Sequence, residues 1–529
     1  MPSTANDVVN RRVNPLLATL PRWVETFRPE QVRAIGQIAA ALDDVDVVVL
    51  DAPTGSGKTL IAETVRLMRR ERGVYVCSSI GLQDQFARDF SYARVVKGRR
   101  NYPTEGAARR FPYLSCDDCQ WTRDSPKCQW CSSKRQCPYE MAKVEAIRAE
   151  LAVVNSAYAL TEWNGPGRLA GRDLAIVDEA DTFEGAVMNH VSVAISARRM
   201  AQYGWDAPDK VTVVDSWKEW LDHHVPLADK MAASETVEKE AKTLARLADS
   251  LRVVRHHLES GIPYAYTGDT RRVEWKPAYV GDYCKEAMWR HAKKWLLMSA
   301  TVISSSSLLR GLGWDGRYQT VTVPSSFPAE NRRVIVKGVG NMSRRSKDTD
   351  FERLAETVRE LVESTSERVV IHTVSYQLAR DICDRLRRNP GRDISPERVI
   401  SYGLAGDRAT AIAEYIRTPG GVLVAATADR GVDLPDELCR RCIIVKVPYP
   451  NLGDRMVRMR AYMGAEGRAW YASATVRSIV QMAGRGVRHK DDWCETFILD
   501  SQFGEGVWSR SRHLFPAWFR EAMVWETRR

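Results

Sequence analysis

The sequence predicts an α/β fold: two lobes, each a doubly wound parallel sheet, with a cysteine-rich insert and a helical insert in the first. Three observations predict it. Short apolar, β-branched runs alternate with helical stretches: VDVVVLDAP at 45–53, VYVCSS at 74–79, LAVVN at 151–155 and LAIVDEAD at 174–181. Continuous apolar runs of this length mark strands buried on both faces of a parallel sheet. The same rhythm resumes with RVVIHT at 368–373, GVLVAAT at 421–427, CIIVKVPYP at 442–450 and ETFILD at 495–500, which requires a second sheet. Two stretches interrupt it: 98–140 is rich in Arg, Cys and Pro, and 184–290 is mostly helical in pattern. The expected division is 1–97, 141–183 and 291–325 for the first lobe, 98–140 and 184–290 for its inserts, and 326–529 for the second lobe. The polar segment NMSRRSKDTD at 341–350 marks the entry to the second lobe's first helix.

The composition excludes whole classes. With 44% hydrophobic and 27% charged residues over 529 positions, the chain is neither disordered nor fibrous. Lys and Arg number 78 against 67 Asp and Glu, and the net charge of +11 favours a polyanionic partner without specifying a fold. No run of about 18 apolar residues exists, and the first residues lack the apolar core of a signal peptide, so a cytoplasmic, reduced protein without a membrane partner is expected. In that setting the clustering of five of eleven cysteines at Cys116, Cys119, Cys128, Cys131 and Cys137 indicates a metal or cluster site rather than disulfides.

The first strand runs into Asp51-Ala-Pro-Thr-Gly-Ser-Gly-Lys-Thr59 and then a helical pattern. A glycine-rich loop between a strand's end and a helix's start aims backbone N–H groups and the helix dipole at phosphates. Thr54, Gly55, Ser56 and Gly57 form the cradle, Lys58 is placed for the β and γ phosphates of ATP, and Thr59 is placed for Mg²⁺. Ala52 replaces the glycine of the strict pattern. After the fourth strand come Asp178 and Glu179, the first suited to hold Mg²⁺ and the second to polarise the attacking water. An acidic pair at a strand end is commonplace alone; beside this loop it reads as the second half of an ATPase site.

Further motifs then carry a resemblance. Phe27-Arg-Pro-Glu-Gln31 resembles the adenine-reading glutamine motif of superfamily 2 helicases, and Asp178–Asp181 resembles their DEAD/DEAH box. Ser299-Ala-Thr301, Asp429-Arg-Gly431-Val-Asp433-Leu-Pro435 and Gln481-Met-Ala-Gly-Arg485-Gly-Val-Arg488 resemble later motifs of the same superfamily. Each is ordinarily just a turn when isolated, but six occur in order across about 460 residues. The resemblance implies two RecA-like lobes with the nucleotide between them. It also implies nucleotide contacts from Gln31, Gly431, Asp433 and Gln481, and an arginine finger at Arg488 or, second, Arg485, whose guanidinium would stabilise the transferring phosphoryl group. Ala52 fits the A-x-T-G-x-G-K-T loops of helicases.

Within the superfamily the inserts resemble those of the XPD/DinG branch, the Rad3-like iron–sulfur helicases. Lys97-Gly-Arg-Arg-Asn-Tyr102 resembles the branch's entry into its cluster domain, Cys137-Pro-Tyr139 the end of that domain, and the helical insert its arch. The resemblance implies a DNA helicase moving 5′ to 3′ on single-stranded DNA and opening forked duplexes, in the manner of compact, monomeric bacterial or phage members. One residue departs from it: Thr104 stands where the family usually has its first cluster cysteine. Two ligand sets remain open. Cys119, Cys128, Cys131 and Cys137, with Cys116 as alternate, would hold a [4Fe–4S] cluster; the two C-x2-C pairs at 116–119 and 128–131 would instead make a tetrathiolate zinc site. Protein partners and pathway are not legible.

A path for single-stranded DNA needs cations and flat side chains. Candidates are Arg99, Arg100, Arg109 and Arg110 with Tyr102, Phe111, Tyr113, Trp121 and Trp130 in the first insert, Trp217, Trp220, Trp275 and Trp289 in the second, and Lys446 with Tyr449, and His372-Thr373 with Ser375-Tyr376, in the second lobe. For any one tryptophan, core packing is the competing expectation. Two other functions compete with DNA unwinding: a translocase or RNA remodeller that hydrolyses ATP without separating DNA strands, and a binding scaffold that has lost the cycle.

Overall fold

The computed structural model describes residues 5–104, 113–119, 136–269, 271–342, 348–388, 394–402, 408–426, 434, 436–484, 486–487, 489 and 491–526. The first sheet is built from β1 (Val47–Asp51), β2 (Gly73–Cys77), β3 (Arg94–Val95), β4 (Leu151–Asn155) and β5 (Arg172–Asp178). After an insert with β6 (Val193–Ile195), β7 (Tyr264–Tyr266) and β8 (Val273–Pro277), it is completed by β9 (Ala292–Ser299) and β10 (Tyr318–Thr322). Its order is β10-β1-β9-β5-β2-β4-β3, and every pairing is parallel. The second sheet comprises β11 (Val334–Gly340), β12 (Val369–His372), β13 (Val399–Ser401), β14 (Val422–Ala425), β15 (Arg441–Ile444), β16 (Glu495–Asp500) and β17 (Met523–Trp525). Its order is β13-β14-β12-β15-β16-β11-β17, again parallel throughout. These are two RecA-like lobes, as expected from the sequence.

Each sheet is covered on both faces, which is why its strands read as unbroken apolar runs. Along β2, Val74 and Val76 join one first-lobe core while Tyr75 and Cys77 join the other. The second lobe divides likewise, with Val370 of β12 on one side and Val369 and Ile371 on the other. Within the first lobe Glu63 is fully buried, and it is held by Arg66 in a bidentate pair and by the Tyr92 hydroxyl at 2.7 Å.

The 184–290 insert, expected to be mostly helical, also carries a small sheet. Two long helices, Val214–Ser234 and Glu238–Glu259, pack on each other, but a three-stranded antiparallel sheet, β6-β8-β7, accompanies them. Strands of three to five residues are too short to show a period among helical neighbours. Trp217, Trp220, Trp275 and Trp289 are all buried. They pack the core and are not available for stacking on bases.

Candidate nucleotide site and interlobe cleft

The loop after β1 is shaped by two glycines, Gly55 and Gly57, both at φ +78°, a left-handed conformation that side-chain-bearing residues adopt only at a cost. Gly57 caps the helix Lys58–Arg69, so Lys58 and Thr59 occupy its first turn, where free N–H groups point at the loop. Gln31, expected to read adenine, has both amide atoms engaged with protein. Its Oε1 accepts from Arg28 N at 2.9 Å, and its Nε2 donates to the Ser56 carbonyl at 3.0 Å. A Cβ at Gly57 would lie 2.5 Å from that Nε2. Arg28 adds a guanidinium bond to the Gly55 carbonyl at 3.0 Å. The glutamine motif therefore braces the phosphate loop from outside.

The acidic pair arrives on β5, two strands from β1 with β9 between. Asp178 Oδ1 accepts from Glu179 N at 2.9 Å, and Glu179 itself sits at φ +50°, a strained backbone for a glutamate. Burial raises the Asp178 carboxyl above the usual carboxylate range, and the Lys58 charge opposes that rise. Asp51, at the end of β1, is pushed up to about 7 by burial, again against Lys58. Tyr75 of β2 reaches between the two halves of the site: its hydroxyl lies 3.3 Å from Thr59 Oγ1 and 3.2 Å from Asp178 Oδ2. The sequence reading missed it, because only the alternation of β2 hints that one of its side chains must point there.

Asp181, three residues after Asp178, is almost fully buried and collects contacts from both lobes. From the first lobe, Ser299 Oγ donates to its Oδ1 at 2.7 Å and Thr301 Oγ1 to its Oδ2 at 3.0 Å. From the second lobe's helix Gly464–Ala483, Gln481 Nε2 donates to the same Oδ2 at 3.0 Å and meets Thr301 Oγ1 at 3.1 Å. Arg477 donates to the Asp181 carbonyl at 3.0 Å. The structure thus unites the DEAD-type box, the Ser-Ala-Thr motif and the start of the Gln481 motif around one carboxylate. Arg485 and Arg488 lie outside the described residues, as do Gly431 and Asp433. Just beyond the finger candidates, His489 Nε2 pairs with Asp436 Oδ1 at 2.7 Å, joining the ends of those two motifs.

A second interlobe contact lies farther out. Arg460 of the second lobe pairs with Glu184 at 2.5 Å and is sandwiched between the rings of Tyr279 and Trp470, 4.8 and 4.3 Å from its guanidinium carbon. The second lobe also holds a cavity of about 560 Å³ lined by Tyr449, Tyr462, Tyr471, Arg468 and Arg510 among others, with the Tyr449 and Tyr471 rings nearly parallel.

Of the expected metal ligands, Cys116, Cys119 and Cys137 are buried together in the first lobe's core, while Cys128 and Cys131 lie outside the described residues. Cys116, the alternate, is the thiol that comes within 3.7 Å of Cys137. Its Sγ also lies 3.4 Å from the Pro103 carbonyl, beside Thr104, whose buried hydroxyl has no hydrogen-bond partner among the described residues. Two buried thiols 3.7 Å apart are compatible with a thiolate-bound metal or cluster.

Residues 358–522 match the helicase C-terminal domain family. The chain is also similar to a protein of Methanocaldococcus jannaschii named a probable ATP-dependent helicase, 20% identical over 617 aligned positions that cover 91% of this chain and 92% of that one. Its fold superposes on a solved XPD helicase with a TM-score of 0.62 at 14% identity, over 95% of this chain and all of the other. Xpd4 of S. tokodaii gives 0.59 at 14% identity, over 94% of this chain and all of that one. The chain has the fold of these XPD helicases, and its second lobe carries the helicase C-terminal domain. A local match to the ATP-dependent DNA helicase chl1 of Aspergillus clavatus, 26% identical, covers 21% of this chain and 18% of that protein. Among the described residues no helix is long and apolar enough to cross a membrane.

Proposed function

We propose that this helicase is an ATP-driven DNA motor that moves 5′ to 3′ along single-stranded DNA and opens forked duplexes. The observation that carries the reading is Asp181: a residue three positions beyond the metal-binding candidate is hydrogen-bonded by Gln481 of the opposite lobe, so the state of the nucleotide site and the closure of the cleft share a contact. Lys58 would steady the β and γ phosphates, Glu179 would hold and deprotonate the attacking water, and Arg488 or Arg485 would supply the finger across the cleft. Thr59 and Asp178 would hold Mg²⁺, which when bound neutralises phosphate charge. The single strand would run over the second lobe past Lys446 and the tyrosine- and arginine-lined cavity, where rings stack on bases and cations meet phosphates. The DNA named in the chl1 relative and the basic net charge support DNA as the track.

The cysteine insert would hold a [4Fe–4S] cluster through Cys137, Cys128, Cys131 and one of Cys116 and Cys119. The 3.7 Å approach of Cys116 to Cys137 favours Cys116 as the replacement for the cysteine missing at Thr104. Strand displacement on 5′-tailed and 3′-tailed duplexes, with Lys58→Ala as control, tests the motor. Opening of the 5′-tailed substrate alone is expected. DNA-stimulated hydrolysis with neither duplex opened would establish a translocase instead, and stimulation by RNA alone an RNA remodeller. Iron content and absorbance near 400 nm in protein purified without oxygen test the cluster, and a colourless zinc protein would replace it.

A further inference from the structure

Tyr75 belongs to the face of β2 that packs beneath the phosphate-loop helix, and it is 1% exposed. Its ring is fixed by Phe86, centroid to centroid 4.3 Å, and Phe86 is backed in turn by Phe90. Packing alone would be served as well by phenylalanine. The hydroxyl adds one proton and one acceptor in a place water does not reach, and both are matched by the two residues expected to hold the cation. A carboxylate can only accept, so the phenol proton goes to Asp178 Oδ2 at 3.2 Å. The phenol oxygen is then left to accept the Thr59 hydroxyl hydrogen across 3.3 Å. That pattern turns the Thr59 lone pairs away from the tyrosine. It also leaves Asp178 gripped at both oxygens, by Tyr75 on Oδ2 and by the Glu179 N–H on Oδ1 at 2.9 Å.

We infer that Tyr75 is a positioning residue for the divalent cation of the nucleotide site, its hydroxyl setting both the Thr59 rotamer and the Asp178 carboxylate plane before the cation arrives. This inference rests on the reading of Thr59 and Asp178 as the magnesium residues of an ATP site. Groups that orient metal ligands typically change metal affinity by about 10- to 100-fold when removed.

The test is Tyr75→Phe in the full-length protein, with Val76→Ala, on the opposite face of β2, as its packing control. Manganese binding in the presence of a non-hydrolysable ATP analogue is followed by electron paramagnetic resonance, and magnesium dependence by ATP hydrolysis. Tyr75→Phe should raise the manganese Kd and the half-saturating magnesium concentration by about 10-fold, while hydrolysis at saturating magnesium falls less. Val76→Ala should lower Tm and leave the manganese Kd unchanged. Equal manganese Kd values for wild type and Tyr75→Phe, or equal weakening in both variants, would overturn the positioning role. Wild-type protein that hydrolyses ATP but loads no manganese with the analogue would overturn the role and the ligand assignment together. A chain that binds neither nucleotide nor manganese would overturn the ATP site itself.

Discussion

Replacing Asp51 with asparagine should stabilise the first lobe, and by an amount that grows with pH. The Asp51 carboxyl is pushed from its ordinary 3.8 to about 7 by burial, only partly offset by Lys58. A raised carboxyl pKa means the folded state resists ionisation. The associated stability is fully present below pH about 4, where both states are protonated, and is lost as pH rises through about 7. Three pKa units at about 1.4 kcal/mol each place the full cost near 4 kcal/mol, with most of it incurred between pH 4 and 7. Asparagine keeps the shape and removes the titration. The advantage of Asp51→Asn over wild type should therefore widen by about 2–3 kcal/mol between pH 5 and pH 8 and then level off. In a thermal melt of apoprotein this corresponds to a gap in Tm growing by roughly 4–10 °C. Comparing the same two proteins at several pH values cancels any fixed packing difference between the side chains. A gap constant between pH 5 and 8, or one that narrows, would refute the argument that burial dominates over Lys58.

Three further outcomes are expected. Gly57→Ala puts a Cβ 2.5 Å from Gln31 Nε2 and a non-glycine at φ +78°. It should weaken binding of a fluorescent ATP analogue at least 10-fold while Tm moves little, since the strain of about 1–2 kcal/mol is local to the loop. Gln481→Ala removes one amide nitrogen that donates to both Asp181 and Thr301 across the cleft; DNA-stimulated hydrolysis should fall about 10- to 100-fold, as for the loss of a hydrogen bond to a charged group worth about 1.5–3 kcal/mol, with nucleotide affinity nearly unchanged. Arg66→Met strands the fully buried Glu63 and should cost about 3–5 kcal/mol in urea unfolding, much of it recovered by adding Glu63→Gln.

What was legible in the sequence was whatever is contiguous. The loop 51–59, the pair Asp178–Glu179 and most strands longer than four residues each carry their own local pattern, and they appear where that pattern puts them. What was not legible depends on residues far apart in the chain. Tyr75 is 103 positions from Asp178, and Gln481 is 300 from Asp181, so no local period announces either contact. Gln31 stands in a motif that implies an adenine contact; that its amide also braces the Ser56 carbonyl depends on where the helix Pro29–Asp44 packs. The tryptophans of the 184–290 insert show the same limit. Composition offered them as a stacking surface, but the small sheet β6-β8-β7 gives Trp217, Trp220 and Trp275 a core to fill, and Trp289 joins the first-lobe core.

The turn after β5 gathers the separate tasks of the site. Asp178 faces inward, to Tyr75 and through it to Thr59 within the first lobe. Asp181 faces the second lobe, to Gln481 and Arg477. A regular continuation of the strand would put the two carboxylates on opposite faces of the sheet, since they stand an odd number of residues apart. A regular helix would align them on one face. Neither allows one acid to close the nucleotide pocket while the other, less than one full helical turn later, closes the cleft. Glu179 at φ +50° followed by the short helical turn Ala180–Thr182 does allow it. The backbone strain there, of order 1–3 kcal/mol, is held in place by the Ser299 and Thr301 hydroxyls on Asp181 and by the Glu179 N–H on Asp178. The strain therefore sits at the residue proposed to activate water, and it sets the angle between the first-lobe site and the second-lobe helix that reports on it.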